Sequence, residues 1–547
     1  MTCLALAIGA LSGCAMGDRR ATAAMDTMIA EDLVRHIQVL AADSLEGRGP
    51  SSPGEQKTTA YLQAEFEKLG LRPGNGASWF QEVPLVAMTT DKNTTLTVRG
   101  RGAATAYRYA DDFVAFTKRV VPRSEIRNSE LVFAGYGVVA PEYGWNDYAG
   151  LDARGKTVVV LVNDPGNEGT DTSLFKGRTM TYYGRWTYKY EEAARQGAAG
   201  VLIVHETVPA AYPWEVVTGS WGSEQFGLVA SDNNMSRAAI EGWTTVETAR
   251  RIFSQAGMSY DSLKARANVR GFLPVSLGLT ASIAVQSAIR HSTSNNVLAV
   301  LPGAQRPDEY MVYMAHWDHL GRDPTLTGDQ IYNGALDNAS GTAGLLELAQ
   351  AFASLDPPPA RSILFLAVTA EEQGLIGSAH YAQNPVYPLD QTVAVINMDG
   401  INQIGPMRDI TIIGYGNSEL DDFLAEAARA QSRVIKPDAE PEKGFYYRSD
   451  HFNFAKVGVP ALYTDAGVDH TERGEAYARE QRDKYTAERY HKPSDEYDGS
   501  WDLRGAIDDL RLLFQVGYRI AGETTYPNWR PGTEFRAIRD AMMGVGR

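Results

Sequence analysis

At 547 residues the chain is too long for one ordinary core and calls for two or more domains. Its 44% hydrophobic and 22% charged residues are those of a soluble globular protein. The formal net charge of −15, with no cluster of Lys and Arg, excludes nucleic acid as a partner, because binding a polyanion needs clustered cations to displace counterions.

Residues 4–11 are apolar, too short to span a bilayer, and lead into small residues, which is the form of a signal-peptide core. Leu11-Ser12-Gly13-Cys14 resembles a bacterial lipobox, in which Cys14 is lipidated and becomes the mature N-terminus. The resemblance implies an exported protein, periplasmic or attached to the outer membrane through Cys14. Without it, residues 1–14 read as a disordered, mildly apolar tail. Cys3 and Cys14 are the only cysteines, so a chain beginning at Cys14 forms no internal disulfide. Export therefore rests on the leader alone. No later run reaches the length of a membrane span.

Residues 15–28 read as a polar linker. From 29 to 79 the pattern is helical: Leu33, Ile37 and Leu40, then Tyr61, Leu62, Phe66 and Leu69, recur at helical spacing. The connection between them, 44–50, is rich in turn residues. From 80 to 285 the texture changes to short β-type runs such as 131–137 and 156–162, broken by Gly, Pro, Asn and Asp. Residues 190–204 read as a helix, a glycine-bearing turn and a buried strand. This segment resembles a protease-associated domain, inserted into the chain as a β-rich α+β unit. It carries no catalytic cluster, which suits a lid or substrate-positioning module, and its His205 reads as a satisfied polar group.

Between 286 and 523 strands alternate with helices. The strands are expected at 296–301, 310–315, 363–368, 392–396, 410–413 and 459–463, and the helices at 343–355, 420–430 and 506–521. Apolar strands in alternation with helices predict an α/β fold, a mixed, largely parallel sheet sandwiched by helices. Ligands of such sheets bind beyond the carboxyl ends of the strands. Residues 524–547 form a tail of loop and short helix.

The strand ends carry the chemistry. One delivers His316-Trp317-Asp318-His319, the next element opens with Asp337, and the following strand ends lead to Glu371-Glu372 and to Asn397-Met398-Asp399. Tyr490-His491-Lys492-Pro493-Ser494-Asp495 comes later. A single polar strand end is unremarkable in the sense that strands abut loops, but several converging on one rim indicate a site. Two Zn²⁺ ions are balanced by three carboxylates and a hydroxide, leaving two neutral imidazoles, and Asp337, Glu372 and Asp399 with His316 and His491 supply that set. Binuclear sites hold their metals roughly 3.5–4 Å apart. Asp337, in the small-residue run 334–344, would bridge them.

The motifs His316-x-Asp318, 335–341, Ala370-Glu371-Glu372, Asn397-Met398-Asp399 and Tyr490-His491-x-Pro493-x-Asp495 resemble, in order and content, those of the M28 family of zinc aminopeptidases and carboxypeptidases. The resemblance extends over about 295–522 and the N-terminal helices, which it assigns to the peptidase domain. It implies one zinc held by Asp337, Glu372 and His491 and a second by Asp337, His316 and Asp399. Glu371 is then the general base toward a metal-bridging water, and Tyr490 the donor to the oxyanion. Asp318 would orient His316, and Asp495 would orient His491. Adjacent side chains of a strand face opposite ways, so Glu371 and Glu372 serve one site only where the strand turns into a loop.

His319 stands as a competitor to His316 for metal. Ser449-Asp450-His451 matches a segment near the substrate pocket in many relatives, although a structural hydrogen bond serves His451 equally well. His470 reads as a loop residue and His380 as a helix residue. The implied activity is an exported dizinc aminopeptidase acting on peptides. Three other readings stay open: an M28-like carboxypeptidase or dipeptidase, favoured by basic pocket residues such as Arg448; a glutaminyl-cyclase-like acyltransferase using one zinc; and a non-catalytic binding protein of the same fold.

Overall fold

Strands in which every residue is buried make up the middle of a mixed sheet: Arg361–Val368, Thr392–Met398 and Asp409–Ile413. Continuous burial is what a sheet covered on both faces demands, and it explains why these segments are apolar without alternation. In the computed structural model, which describes residues 12–169, 173–221 and 224–545, the chain forms two units. The first comprises Met1–Val83, Thr293–Asp438 and Arg448–Arg547; the second comprises Pro84–Ser292 and Ala439–Tyr447.

The sheet of the first unit runs in the order Arg72–Pro73, residues 297–301 of the strand Val275–Leu301, Arg361–Val368, Arg306–His316, Thr392–Met398, Ala461–Ala466, Asp409–Ile413 and Val434–Pro437. The pairings from Arg361–Val368 through Ala461–Ala466 are parallel. Register sets His316 opposite Val368 and Ala315 opposite Met398, so three strands release their chains at one rim. The helix Gly341–Ala353 is apolar almost all round and is buried accordingly. Pro53–Lys68 is started by Ser52, whose hydroxyl accepts from Glu55 N, with Pro53 as its first residue.

Residues 15–28 are not a linker. A helix spans Ser12–Met25, and Ala21, Ala24 and Met28 are buried in the same core as Leu345, Leu512 and Phe514. Alanines at helical spacing bury little area each, which is why the stretch looks polar in sequence while packing closely. The expected leader lies outside the described residues up to Leu11, as does the Cys14 side chain. Among the described residues no helix is long and apolar enough to cross a membrane.

The second unit has its own sheet, with Gly200–His205 parallel to Thr157–Leu161 on one side and to Ile240–Thr245 on the other. Its excursion Ala439–Tyr447 comes from far along the chain and is held by the Met180 N–H donating to the Pro441 carbonyl and by an ion pair between Arg178 and Glu442. Local patterning carries no trace of that pairing. His205 Nε2 lies 3.0 Å from the Tyr212 carbonyl.

Glu347, in the middle of Gly341–Ala353, is buried with one oxygen accepting from Ile29 N and the other unmatched, and burial and then the charge of Asp32 push its pKa up to about 8. The unfolded carboxyl ionises above about 4.5 while the folded one keeps its proton, so stability falls as pH rises from there to about 8. Glu347→Gln is expected to gain on the order of 4 kcal/mol over the native chain above pH 8 and nothing near pH 4.5. Unfolding midpoints of both proteins between pH 4.5 and 9 check this. Parallel curves refute it.

Candidate metal centre

Each acidic or imidazole group at the rim is delivered by a distinct chain reversal. His316 is the last residue of its strand and is 1% exposed. After Val368 the chain turns at Ala370, whose φ of 53° is in the left-handed region, and the turn closes with the Gly374 and Leu375 N–H groups donating to the Glu371 carbonyl. Glu371 and Glu372 therefore sit on a turn rather than a strand, and both carboxylates reach one place.

Asp337 stands on a wide turn, residues 335–340, ahead of the helix Gly341–Ala353. Gly334 enters that turn at φ 54°, where a Cβ would overlap the Asp337 carbonyl. Asn338 donates to the Met398 carbonyl and accepts from Gly341 and Gly400 N–H, which ties the Asp337 turn to the chain carrying Asp399. A Cβ at Gly341 would collide with the Asn338 amide, so the small-residue run is required by close approach. The Asp337–Asn338 peptide is cis.

Asp337 presents its two oxygens to two imidazoles. Oδ1 lies 3.3 Å from His316 Nε2 and Oδ2 lies 3.1 Å from His491 Nε2. His316 Nε2 also faces Asp399 Oδ1 at 3.2 Å, and His491 Nε2 faces Glu372 Oε2 at 3.1 Å. Two ligands about 2.0–2.1 Å from one zinc in a tetrahedral array stand about 3.3 Å apart. Asp337 thus stands between two groups of acids and imidazoles, and donor types and spacing both fit zinc. Glu371 lies beside one group, its carboxylate oxygen within 4.8 Å of ligand atoms of His316 and Asp399.

The acids and imidazoles shift one another strongly. Burial alone would lower both histidines, but Glu371 and the contacts with Asp318, Asp337 and Asp399 raise His316 well above its ordinary value. Burial is likewise outweighed at His491, where hydrogen bonds to Asp337 and Glu372 raise it to about 10. Asp337 is held well below the carboxylate range despite burial, through His316 and His491. Glu371 is pushed well up, first by burial and then, against the pull of His316, by Asp399 and Glu372. Tyr490 is stacked on His491 with ring centroids 3.9 Å apart, and desolvation with the charges of Asp337 and Glu372 keeps its hydroxyl protonated.

One expected orienting contact differs. Asp495 does not touch His491. Its carboxylate accepts from Leu336 and Asp337 N–H and from the Tyr485 hydroxyl, so it fixes the Asp337 turn instead. Asp318 meets His316 Nδ1 chiefly through its backbone carbonyl at 3.2 Å, with the carboxylate at 3.7 Å, and that carboxylate accepts from Glu371 N at 3.1 Å. His319 lies beside Glu372 rather than His316, its Nδ1 2.5 Å from Glu372 Oε1, and with Asp337 and Glu372 it forms a group that could hold a metal. The segment Ser449-Asp450 is tied to a strand and a helix, since Ser449 Oγ accepts from Asn397 in the strand Thr392–Met398 and Asp450 Oδ1 accepts from Ser378 Oγ in the helix Ile376–Gln383. His451 packs its ring 4.8 Å from that of Tyr463. His470 is 3% exposed, with Nδ1 accepting from Glu472 and Arg473 N–H, and His380 is half-buried on the helix Ile376–Gln383.

Sequence reasoning missed Arg48, which is 1% exposed beneath these turns. The only sequence signal was its place in a Gly-rich connection.

Residues 296–514 match the model of peptidase family M28. Aminopeptidase NAALADL1 of Mus musculus is 36% identical over 157 residues, which is 28% of this chain and 19% of that protein. A Glutamate carboxypeptidase 2 homolog of Caenorhabditis elegans is 27% identical over 377 residues, 59% of this chain and 47% of that one. The match therefore spans about a fifth of the first relative and about half of the second. The solved Aminopeptidase from Aneurinibacillus sp. strain AM-1 superposes with a TM-score of 0.49 at 20% identity, covering 93% of this chain and 98% of that one.

Proposed function

We propose, for a chain whose residues 296–514 are a domain of peptidase family M28, that it is a dizinc aminopeptidase releasing N-terminal residues from peptides. The observation that carries this reading is the placement of one carboxylate, Asp337, between His316 and His491, each backed by a further acid. His316 and Asp399 would hold one zinc, His491 and Glu372 the other, with Asp337 shared. Zinc bound there supplies Lewis acidity and a water of pKa about 7.

The chain's own residues do the rest. Glu371, beside His316 and Asp399, takes the proton of the attacking water at its carboxylate and returns it to the departing nitrogen. Asp318 fixes the Glu371 backbone for that exchange. Tyr490, kept protonated, donates to the oxyanion as it forms. The leader 1–14 supports an exported protein anchored through Cys14.

The name of the nematode relative, which matches the longer stretch, favours carboxypeptidase action as a second reading. Aminoacyl and N-blocked peptides separate the two. Cleavage only of free N-termini is expected, with blocked peptides hydrolysed at less than about one-hundredth the rate, since a lost charged contact costs about 3 kcal/mol. Equal cleavage of blocked peptides excludes the aminopeptidase.

A further inference from the structure

Arg48 is buried and sends every contact to a backbone carbonyl. Nε donates to Trp317 O at 2.9 Å, one terminal nitrogen donates to Leu40 O and Asn333 O at 2.6 and 2.5 Å, and the other donates to Gly334 O at 2.9 Å. Trp317 follows His316, and Asn333 and Gly334 precede the Asp337 turn. The same guanidinium thus holds the two chain reversals that present His316 and Asp337. A planar fork with five N–H groups can bridge such turns at a set distance, whereas an ammonium cannot. The Arg48 carbonyl completes the tie by accepting from His319 N.

Among the described residues the Arg48 side chain bonds to carbonyls and to no carboxylate. Burial lowers its pKa to about 10, and the charges that hold it up are those of Asp318, Asp495, Asp337 and Glu372, which belong to the metal centre and its supports. It remains a cation at neutral pH. A permanent charge beneath an acid cluster lets that cluster stay ionised and assembled before any metal arrives.

We infer that Arg48 is a positioning residue of the metal centre, its fork setting the spacing of the His316 and Asp337 turns and its charge offsetting the ligand acids from below. This rests on the dizinc reading, although it concerns assembly of the site rather than the reaction.

The test uses the full chain carrying Arg48→Lys, which keeps the charge and loses the fork, and Arg48→Gln, which does the reverse in part. Arg361→Lys is the control. Arg361 is also fully buried and donates to the carbonyls of Ile520, Thr524 and Thr525, but it lies at the opposite end of its strand from the site. Zinc affinity is measured by chelator competition, and the Co²⁺-substituted proteins are compared by visible absorption. Both Arg48 variants are expected to bind zinc about ten- to a hundredfold more weakly, the range for groups that support ligands, with altered Co²⁺ spectra, while Arg361→Lys binds as the native chain. Folded Arg48 variants with native affinity and spectrum overturn the inference. So does loss of folding in both Arg48 variants beside a folded Arg361→Lys, which would make Arg48 a core staple. A native chain holding fewer than two zinc ions overturns the dizinc reading itself, together with the role of Arg48 that depends on it.

Discussion

Glutamine at position 371 is expected to leave the protein folded with its metal content unchanged and to lower kcat by about 10²- to 10⁴-fold, the usual worth of a positioned general base. The substitution keeps size and backbone hydrogen bonding, so the Glu371 N–H still donates to Asp318. It removes the proton acceptor and nothing that the two ligand sets share. KM should change little, because the loss falls on a proton transfer in the transition state rather than on ground-state contacts. The measurement is kcat and KM on an aminoacyl substrate together with zinc by elemental analysis. A variant with near-native turnover removes Glu371 from the mechanism. One that has lost a zinc would place Glu371 among the ligands, which its closeness to His316 and Asp399 makes worth testing.

Asp337→Ala has the second large effect. Because its two oxygens face different histidines, its removal strikes both ligand sets, whereas His491→Ala strikes one. Asp337→Ala is expected to retain less than one zinc per chain and to lose more than about a hundredfold in activity, beyond what residues that merely support ligands are worth. His491→Ala should keep one. The apo-variant also leaves His316 and His491 facing each other without the carboxylate between them. Elemental analysis of the three proteins after dialysis decides the point. Equal zinc loss from Asp337→Ala and His491→Ala would mean that Asp337 serves only one ion.

The strand ends that carry His316, Glu371-Glu372 and Asp399 were legible because a parallel sheet forces apolar strands to finish in polar loops at one rim. Glu371 and Glu372 could be paired in one site only by a turn, and the turn is there at Ala370. The helical nature of 15–28 was not legible, since alanines pack without an apolar signature. Nor was the second unit's capture of Ala439–Tyr447, which depends on contacts with residues more than two hundred positions away.

By itself the sequence determined which elements present His, Asp and Glu side chains at their ends, because periodicity, turn residues and strand ends are local properties. The tertiary structure alone decided who supports whom. Asp495 went to the Asp337 turn, His319 to Glu372, Asp318 to the Glu371 backbone, and Arg48 to the carbonyls beneath both reversals. Those partnerships follow from buried donors and acceptors having to be satisfied by whatever the fold brings near, and proximity in the fold is not written in spacing along the chain.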